Sequence, residues 1–203
     1  MDDTPTGWDT IQIEYVNKLI DKLGIQHFFE TGTHLGQTSK YFYDKKLKVH
    51  TAEINSTYFE RSMKRFKGLD IELVKADSKE YVKWFANRQL DNVLYYLDAH
   101  WEGPCPLEEE LYHLMKLPKF LILVHDTPVP GRVEFHVEDD VDVIWTRVLH
   151  DDKFPIGTTM ITPNYVIDNT YAPFFLVGYC IISRGYPLVM DDRFTFMEKT
   201  VKQ

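Results

Sequence analysis

The chain has 203 residues, 44% apolar and 27% charged, a length and balance that allow a buried core and exclude a disordered or fibrous protein. Lys and Arg total 23 against 31 Asp and Glu, a formal net charge of -8, which is the wrong sign for attraction to a phosphate backbone, so no nucleic-acid partner is expected. The longest apolar stretches, such as 120–124 and 172–177, fall well short of the roughly 20 residues of a spanning helix, and residues 1–8 lack the regions of a secretory leader; no membrane partner and a cytoplasmic location are expected.

Ile11, Tyr15, Val16, Leu19, Ile20 and Leu23 keep helical spacing before Gly24, which predicts an amphipathic lead-in helix over 8–23. Residues 27–30 read as a short strand, followed by a glycine turn at 31–36 and a helix to Tyr43. The unit then repeats. Strands are predicted at 47–53, 71–77, 93–98 and 120–126, and helices at 56–66, 78–85 and 107–117, with Ser56 as the expected cap of the first of these. Strands alternating with helices imply a parallel sheet with right-handed crossovers. Beyond Gly131 an acidic stretch, read as a solvated face, leads to a short helix at 144–149. Residues 158–167 and 174–183 read as an antiparallel strand pair closing the sheet. The predicted fold is therefore α/β: a Rossmann-like doubly wound sheet of about seven strands, mostly parallel. It forms one domain, with a lead-in helix (1–25), a core (26–131) and a C-terminal part (132–203) that shapes an acceptor pocket. The two cysteines, Cys105 and Cys180, are expected to be free thiols.

In open α/β sheets, ligands bind beyond the carboxyl ends of the strands. Here those ends are acidic: Glu30, Glu53, Asp77, Asp98 and Asp126 close five successive strands at intervals of 23, 24, 21 and 28 residues. Helix capping accounts for one or two such acids. Five carboxylates along one edge repel one another unless a cation or a hydroxyl-rich ligand sits among them. The loop of Thr31, Gly32, Thr33, His34, Leu35 and Gly36 has neither a dinucleotide fingerprint nor a P-loop lysine, which disfavours a diphosphate. Gly32 is expected to let backbone approach a ligand, and Gly36 to let its helix pack on the strand. Glu53, 21 residues after Gly32, is placed to accept both hydroxyls of a ribose.

In order and spacing, Glu30, Thr31, Gly32, Thr33 and Gly36 with Glu53, Asp77, Ser78 and Asp98 resemble the cofactor-binding motifs of class I S-adenosylmethionine-dependent methyltransferases, over residues 8–131. The resemblance implies that Glu30 and the glycine loop face the methionine part, Glu53 the ribose, and Asp77 with Ser78 the adenine. The segments 97–101 and 124–131 further resemble the metal-bearing segments of divalent-cation-dependent O-methyltransferases of the catechol and macrolide-sugar types. That implies Mg2+ held by Asp98 and Asp126, with S-adenosylmethionine as the methyl donor and a small-molecule or sugar hydroxyl as the acceptor.

Two departures stand out: Thr127 where the catechol type has asparagine, and Glu102 where it has a lysine base. His100 is the preferred base or water-bridged ligand, with a loop-orienting hydrogen bond as its bland alternative. His125 precedes Asp126 directly, and strand alternation is expected to turn it to the other face. Trp84 is expected in the core and Trp101 at a ligand pocket. Two alternatives stay open: a metal-independent methyltransferase acting on another nucleophile, and a non-catalytic module that binds S-adenosylmethionine or a nucleoside. The sequence leaves the oligomeric state open, a dimer included.

Overall fold

The computed structural model describes residues 4–5, 7–99, 104–131, 153–165 and 177–200. The lead-in helix, α1 (Thr10–Leu23), starts where the Asp9 carboxylate accepts the Gln12 amide and stops at Gly24, whose φ of 62° is left-handed. The repeated unit follows in the predicted order: β1 (His27–Thr31), α2 (Gln37–Asp44), β2 (Lys48–Glu53), α3 (Ser56–Arg65), β3 (Ile71–Lys75), α4 (Ser78–Ala86), β4 (Val93–Leu97), α5 (Leu107–Leu114) and β5 (Phe120–His125). The cap of α3 is Asn55 rather than Ser56. The Asn55 side chain accepts the Thr57 and Tyr58 amides, which leaves Ser56 as the first helical residue.

Three strands complete the sheet: β6 (Thr158–Pro163), β7 (Tyr179–Arg184) and β8 (Phe194–Glu198). The order across the eight-stranded sheet is β3-β2-β1-β4-β5-β7-β6-β8. Pairings from β3 through β5 are parallel, whereas β7 runs antiparallel to β5 and β6, and β8 antiparallel to β6. The fold class is as predicted, with one strand, β8, added to the antiparallel part. The alternation of Phe194, Thr195, Phe196 and Met197 is its signal in the sequence. The acidic stretch after Gly131 and the helix expected at 144–149 lie outside the described residues.

Adjacent strand residues separate onto the two faces. Phe28, Tyr96, Leu121 and Leu123 pack with α1 and α2 on one side; Phe29, Tyr95 and Ile122 pack with Tyr81, Phe85 and Leu111 of α4 and α5 on the other. Trp84 does not join this core. It is 51% exposed, stacked on Tyr81 and covered by the Arg88 guanidinium, because Tyr81, Val82 and Phe85 already occupy the inward face of α4. Both cysteines are free thiols.

After β3 the chain returns to the far side of β1 and lays down β4, so the order of addition reverses between β1 and β4. Such a reversal opens a crevice at the carboxyl ends of the two strands. Among the described residues, no helix is long and apolar enough to cross a membrane.

Candidate active site

The strand order turns the five acids, scattered over 97 residues of sequence, into a row of neighbours: Asp77, Glu53, Glu30, Asp98 and Asp126, at the ends of β3, β2, β1, β4 and β5. Their environments differ sharply.

Glu30 is buried. One carboxylate oxygen accepts from the Ser39 hydroxyl at 2.5 Å and from the Thr51 hydroxyl at 2.7 Å. Since Thr51 spends its proton on Glu30, the Thr33 hydroxyl, 2.6 Å from Thr51, is the donor in that pair. Burial pushes the Glu30 carboxyl up to about 8, and the two hydroxyls draw it back only in part. Among the described residues, no cationic side chain partners it.

Glu53 ties two loops together, accepting the His34 amide at 2.7 Å on one oxygen and the Asn55 amide at 2.8 Å on the other. Each oxygen keeps one lone-pair direction for a further donor. Asp77 caps α4 by accepting the Lys79 amide at 3.0 Å, so the capping role weighed for such acids applies at this position.

Both loop glycines make room for other protein atoms. At Gly32, φ 80°, a Cβ would lie 2.5 Å from the Asp98 carbonyl oxygen, so the missing side chain lets the exits of β1 and β4 touch. The close approach seen at Gly32 is to protein backbone. At Gly36, φ 73°, a Cβ would meet the Phe66 ring at 2.5 Å, so this glycine accommodates the end of α3 rather than its own strand. Thr31 is buried, and its hydroxyl lies 3.3 Å from the Asp98 amide.

Asp98 is gripped from both sides. The Trp8 indole N–H donates to the Tyr96 hydroxyl at 3.1 Å. An indole only donates, so Tyr96 turns its own proton to Asp98 Oδ2, 2.9 Å away. Asp98 Oδ1 lies 3.1 Å from His125 Nδ1, and the same nitrogen lies 3.2 Å from Asp126 Oδ2. The expectation that His125 faces away is therefore overturned. Asp126 has φ 58°, a left-handed conformation that breaks strand alternation and brings consecutive side chains to one site. Such strain in a non-glycine residue is characteristic of functional positions. Burial alone would push the His125 imidazole down, yet the Asp98 and Asp126 charges outweigh it and hold it at about 10. Asp98, His125 and Asp126 each offer one donor atom within 4.8 Å of the others, the one such group of three or more among the described residues. Two hard carboxylate oxygens and one borderline imidazole nitrogen fit a divalent cation.

Sequence reasoning missed Glu110 and Tyr96. Glu110 is fully buried on α5, and burial pushes its carboxyl up to about 7 despite the Ser78 and Thr31 hydroxyls beside it. Its position, three residues after Leu107 and four before Leu114, was a readable signal that it points inward. Tyr96 was hidden in an apolar run. His100 and Trp101 lie outside the described residues.

No protein-family profile matches the sequence and no curated protein matches it significantly, but solved structures do. A protein assigned as a caffeoyl-CoA O-methyltransferase from Staphylococcus aureus is 15% identical with a TM-score of 0.61, over 91% of this chain and 87% of that one. A protein assigned as an O-methyltransferase from Klebsiella pneumoniae is 14% identical with a TM-score of 0.60, over 90% of this chain and 84% of that one. A Streptococcus mutans protein assigned as a methyltransferase, solved with S-adenosylhomocysteine, is 8% identical with a TM-score of 0.53, over 84% of this chain and 96% of that one. With the strand order and the crevice between β1 and β4, these likenesses give the chain the fold of the class I S-adenosylmethionine-dependent methyltransferases.

Proposed function

We propose that the protein transfers a methyl group from S-adenosylmethionine to a hydroxyl of a small molecule or sugar, with a divalent cation at Asp98 and Asp126. The observation that carries this reading is the acidic row at the carboxyl edge, with an uncompensated buried Glu30 at the reversal point and a cluster of three donors one strand away.

The cofactor carries a sulfonium and an ammonium on its methionine part. Glu30 and the glycine loop receive that part, and a cationic ligand stabilises the ionised form of Glu30 that burial disfavours. Glu53 has a free lone-pair direction on each oxygen for the ribose hydroxyls, and Asp77 with Ser78 borders the adenine. Asp98 and Asp126 hold the cation, and Trp8 through Tyr96 fixes the orientation of Asp98. A bound divalent cation lowers the pKa of a coordinated hydroxyl. The remainder of the rate comes from proximity, as the cleft holds the acceptor oxygen in line with the methyl group. His100, two residues after Asp98 in the sequence, remains the residue proposed to take the acceptor proton.

One observation favours a second reading. His125, held as a cation, offsets one of the two negative charges of Asp98 and Asp126 without any metal, which suits a metal-independent methyltransferase whose acid pair orients the acceptor directly. Calorimetry with S-adenosylmethionine and S-adenosylhomocysteine, in Mg2+ and then in chelator, tests both. Micromolar or tighter cofactor binding, and a cation-binding heat lost in Asp98→Asn, support the metal-assisted reading. Cofactor binding with no cation heat in any condition leaves the metal-independent one. Absence of binding by either cofactor form refutes both.

A further inference from the structure

We propose that His125 Nδ1 is the third protein ligand of the cation, and that the centre is consequently built for a first-row transition ion such as Mn2+ or Co2+ rather than for Mg2+. This rests on the metal-assisted reading and refines it.

Two edges of the donor triangle suit three ligands on one face of a coordination polyhedron, and all three donor atoms lie within 4.8 Å of one another. Donors at right angles about an ion with bonds of roughly 2.1 Å sit about 3.0 Å apart. His125 Nδ1 lies 3.1 Å from Asp98 Oδ1 and 3.2 Å from Asp126 Oδ2. An ion placed outside that triangle would meet one nitrogen and two oxygens and keep its remaining positions for water and an acceptor oxygen. On binding, the cation takes the place of the Nδ1 proton, which leaves to solvent, and the ring keeps its other proton on Nε2.

Beyond the two acids, the histidine has no polar partner among the described residues. It is 6% exposed, and its Nε2 is buried without a hydrogen-bond partner. Its polar contacts are thus the two carboxylates, with the edge of Tyr96 against the ring. Gly7 leaves room for the ring, since a Cβ there would stand 2.9 Å from its Cε1. His125 lies on the Leu121–Leu123 face of regular β5, against Tyr96, and the left-handed φ of Asp126 turns the Asp126 carboxylate to that same side.

The nitrogen donor decides the metal. Mg2+ favours an all-oxygen octahedron, whereas imidazole adds affinity for transition ions along the Irving–Williams order. An all-oxygen site of the same shape would lack that bias.

The test uses the full-length protein stripped of metal and titrated with Mg2+, Mn2+ and Co2+, each with and without S-adenosylhomocysteine. Pulsed electron paramagnetic resonance of the Mn2+ form reads directly whether a nitrogen is bound. Co2+ binding at least 100-fold tighter than Mg2+, with one imidazole nitrogen coupled to Mn2+, is the expected result. In His125→Asn the coupling disappears and the Co2+ preference falls at least tenfold, while Mg2+ affinity changes by less than threefold. Mn2+ bound without nitrogen coupling overturns the inference and leaves the metal-assisted reading standing. So does a Co2+ preference unchanged in His125→Asn. No divalent cation bound while S-adenosylhomocysteine binds overturns both. Because the nitrogen coupling is read on the unmodified protein, the outcome does not depend on the variant folding.

Discussion

The carboxyl edge of the sheet carries acids along its whole parallel part, but the β1–β3 half and the β4–β5 half treat them in opposite ways. Among the described residues, Glu30 and Glu53 meet uncharged donors, the hydroxyls of Ser39 and Thr51 and the amides of His34 and Asn55. Asp98 and Asp126 share a charged one, the His125 imidazole. With neutral donors only, burial raises the Glu30 carboxyl to about 8, so it holds its proton near neutral pH. In the second half the proton sits on the imidazole, which the two acids hold well above its ordinary value. Carboxylates at equivalent strand ends thus differ in charge state, and the partner decides which.

Removing the charge of Glu30 should break the comparison most severely. In Glu30→Gln, binding of S-adenosylmethionine weakens roughly 10- to 100-fold, on the scale of one charge-assisted hydrogen bond, while cation affinity at Asp98 and Asp126 stays within threefold. The ligand-free variant melts higher than the parent at pH 8.5, because the buried carboxylate is gone. Calorimetry and thermal melts read these changes, and an unchanged cofactor affinity would remove Glu30 from the cleft.

On the other half, Tyr96→Phe deletes the hydroxyl that Trp8 aims at Asp98 and keeps the ring in the core. Loss of such an orienting bond is expected to weaken cation binding about tenfold. Binding of S-adenosylhomocysteine should be untouched. If cation affinity is unaltered and only the melting temperature falls, the Trp8–Tyr96 bond is structural.

The smallest effect expected is a pH dependence of stability. Glu30 and Glu110 have folded-state pKa values raised to about 8 and about 7. Below pH 4.5 both are protonated in the folded and unfolded chains alike. As pH rises above 4.5, the unfolded chain releases these protons first, so the stability they confer is lost up to pH 7 and 8, and His125, raised from 6.5 to about 10, loses its own contribution from pH 6.5 upward. The ligand-free protein should therefore melt at least about 5 °C lower at pH 8.5 than at pH 5. In Glu110→Gln the fall should be shallower below pH 7, and S-adenosylmethionine should flatten its upper part by favouring ionised Glu30. A melting temperature constant over that range would show that both carboxyls titrate normally.

Much of the β1–β3 half was legible in the sequence, since β-strands of five or six residues with an acid at or just beyond the end, followed by a helical stretch, announce themselves by local pattern. The cation half was legible only in its acids. Alternation separated His125 from Asp126 because it assumes extended backbone through the strand end, and φ at Asp126 is not extended, so its carboxylate turns to the histidine's side. Trp84 was misplaced for a related reason: helical spacing from Tyr81 says which residues share a side, and leaves open whether the side extends that far around the helix.

By itself the sequence determined the alternation of strands and helices, the acid closing each parallel strand, and the glycines that allow sharp exits, because these depend on neighbours within a few residues. Only the tertiary structure decided the strand order that gathers five distant acids into a row, the left-handed turn that swings Asp126 to the His125 side, and the Trp8–Tyr96–Asp98 chain across 90 residues of sequence. Those depend on which residues share a low-dielectric interior, where one hydroxyl or one imidazole decides whether a carboxylate waits for a cation or already has one.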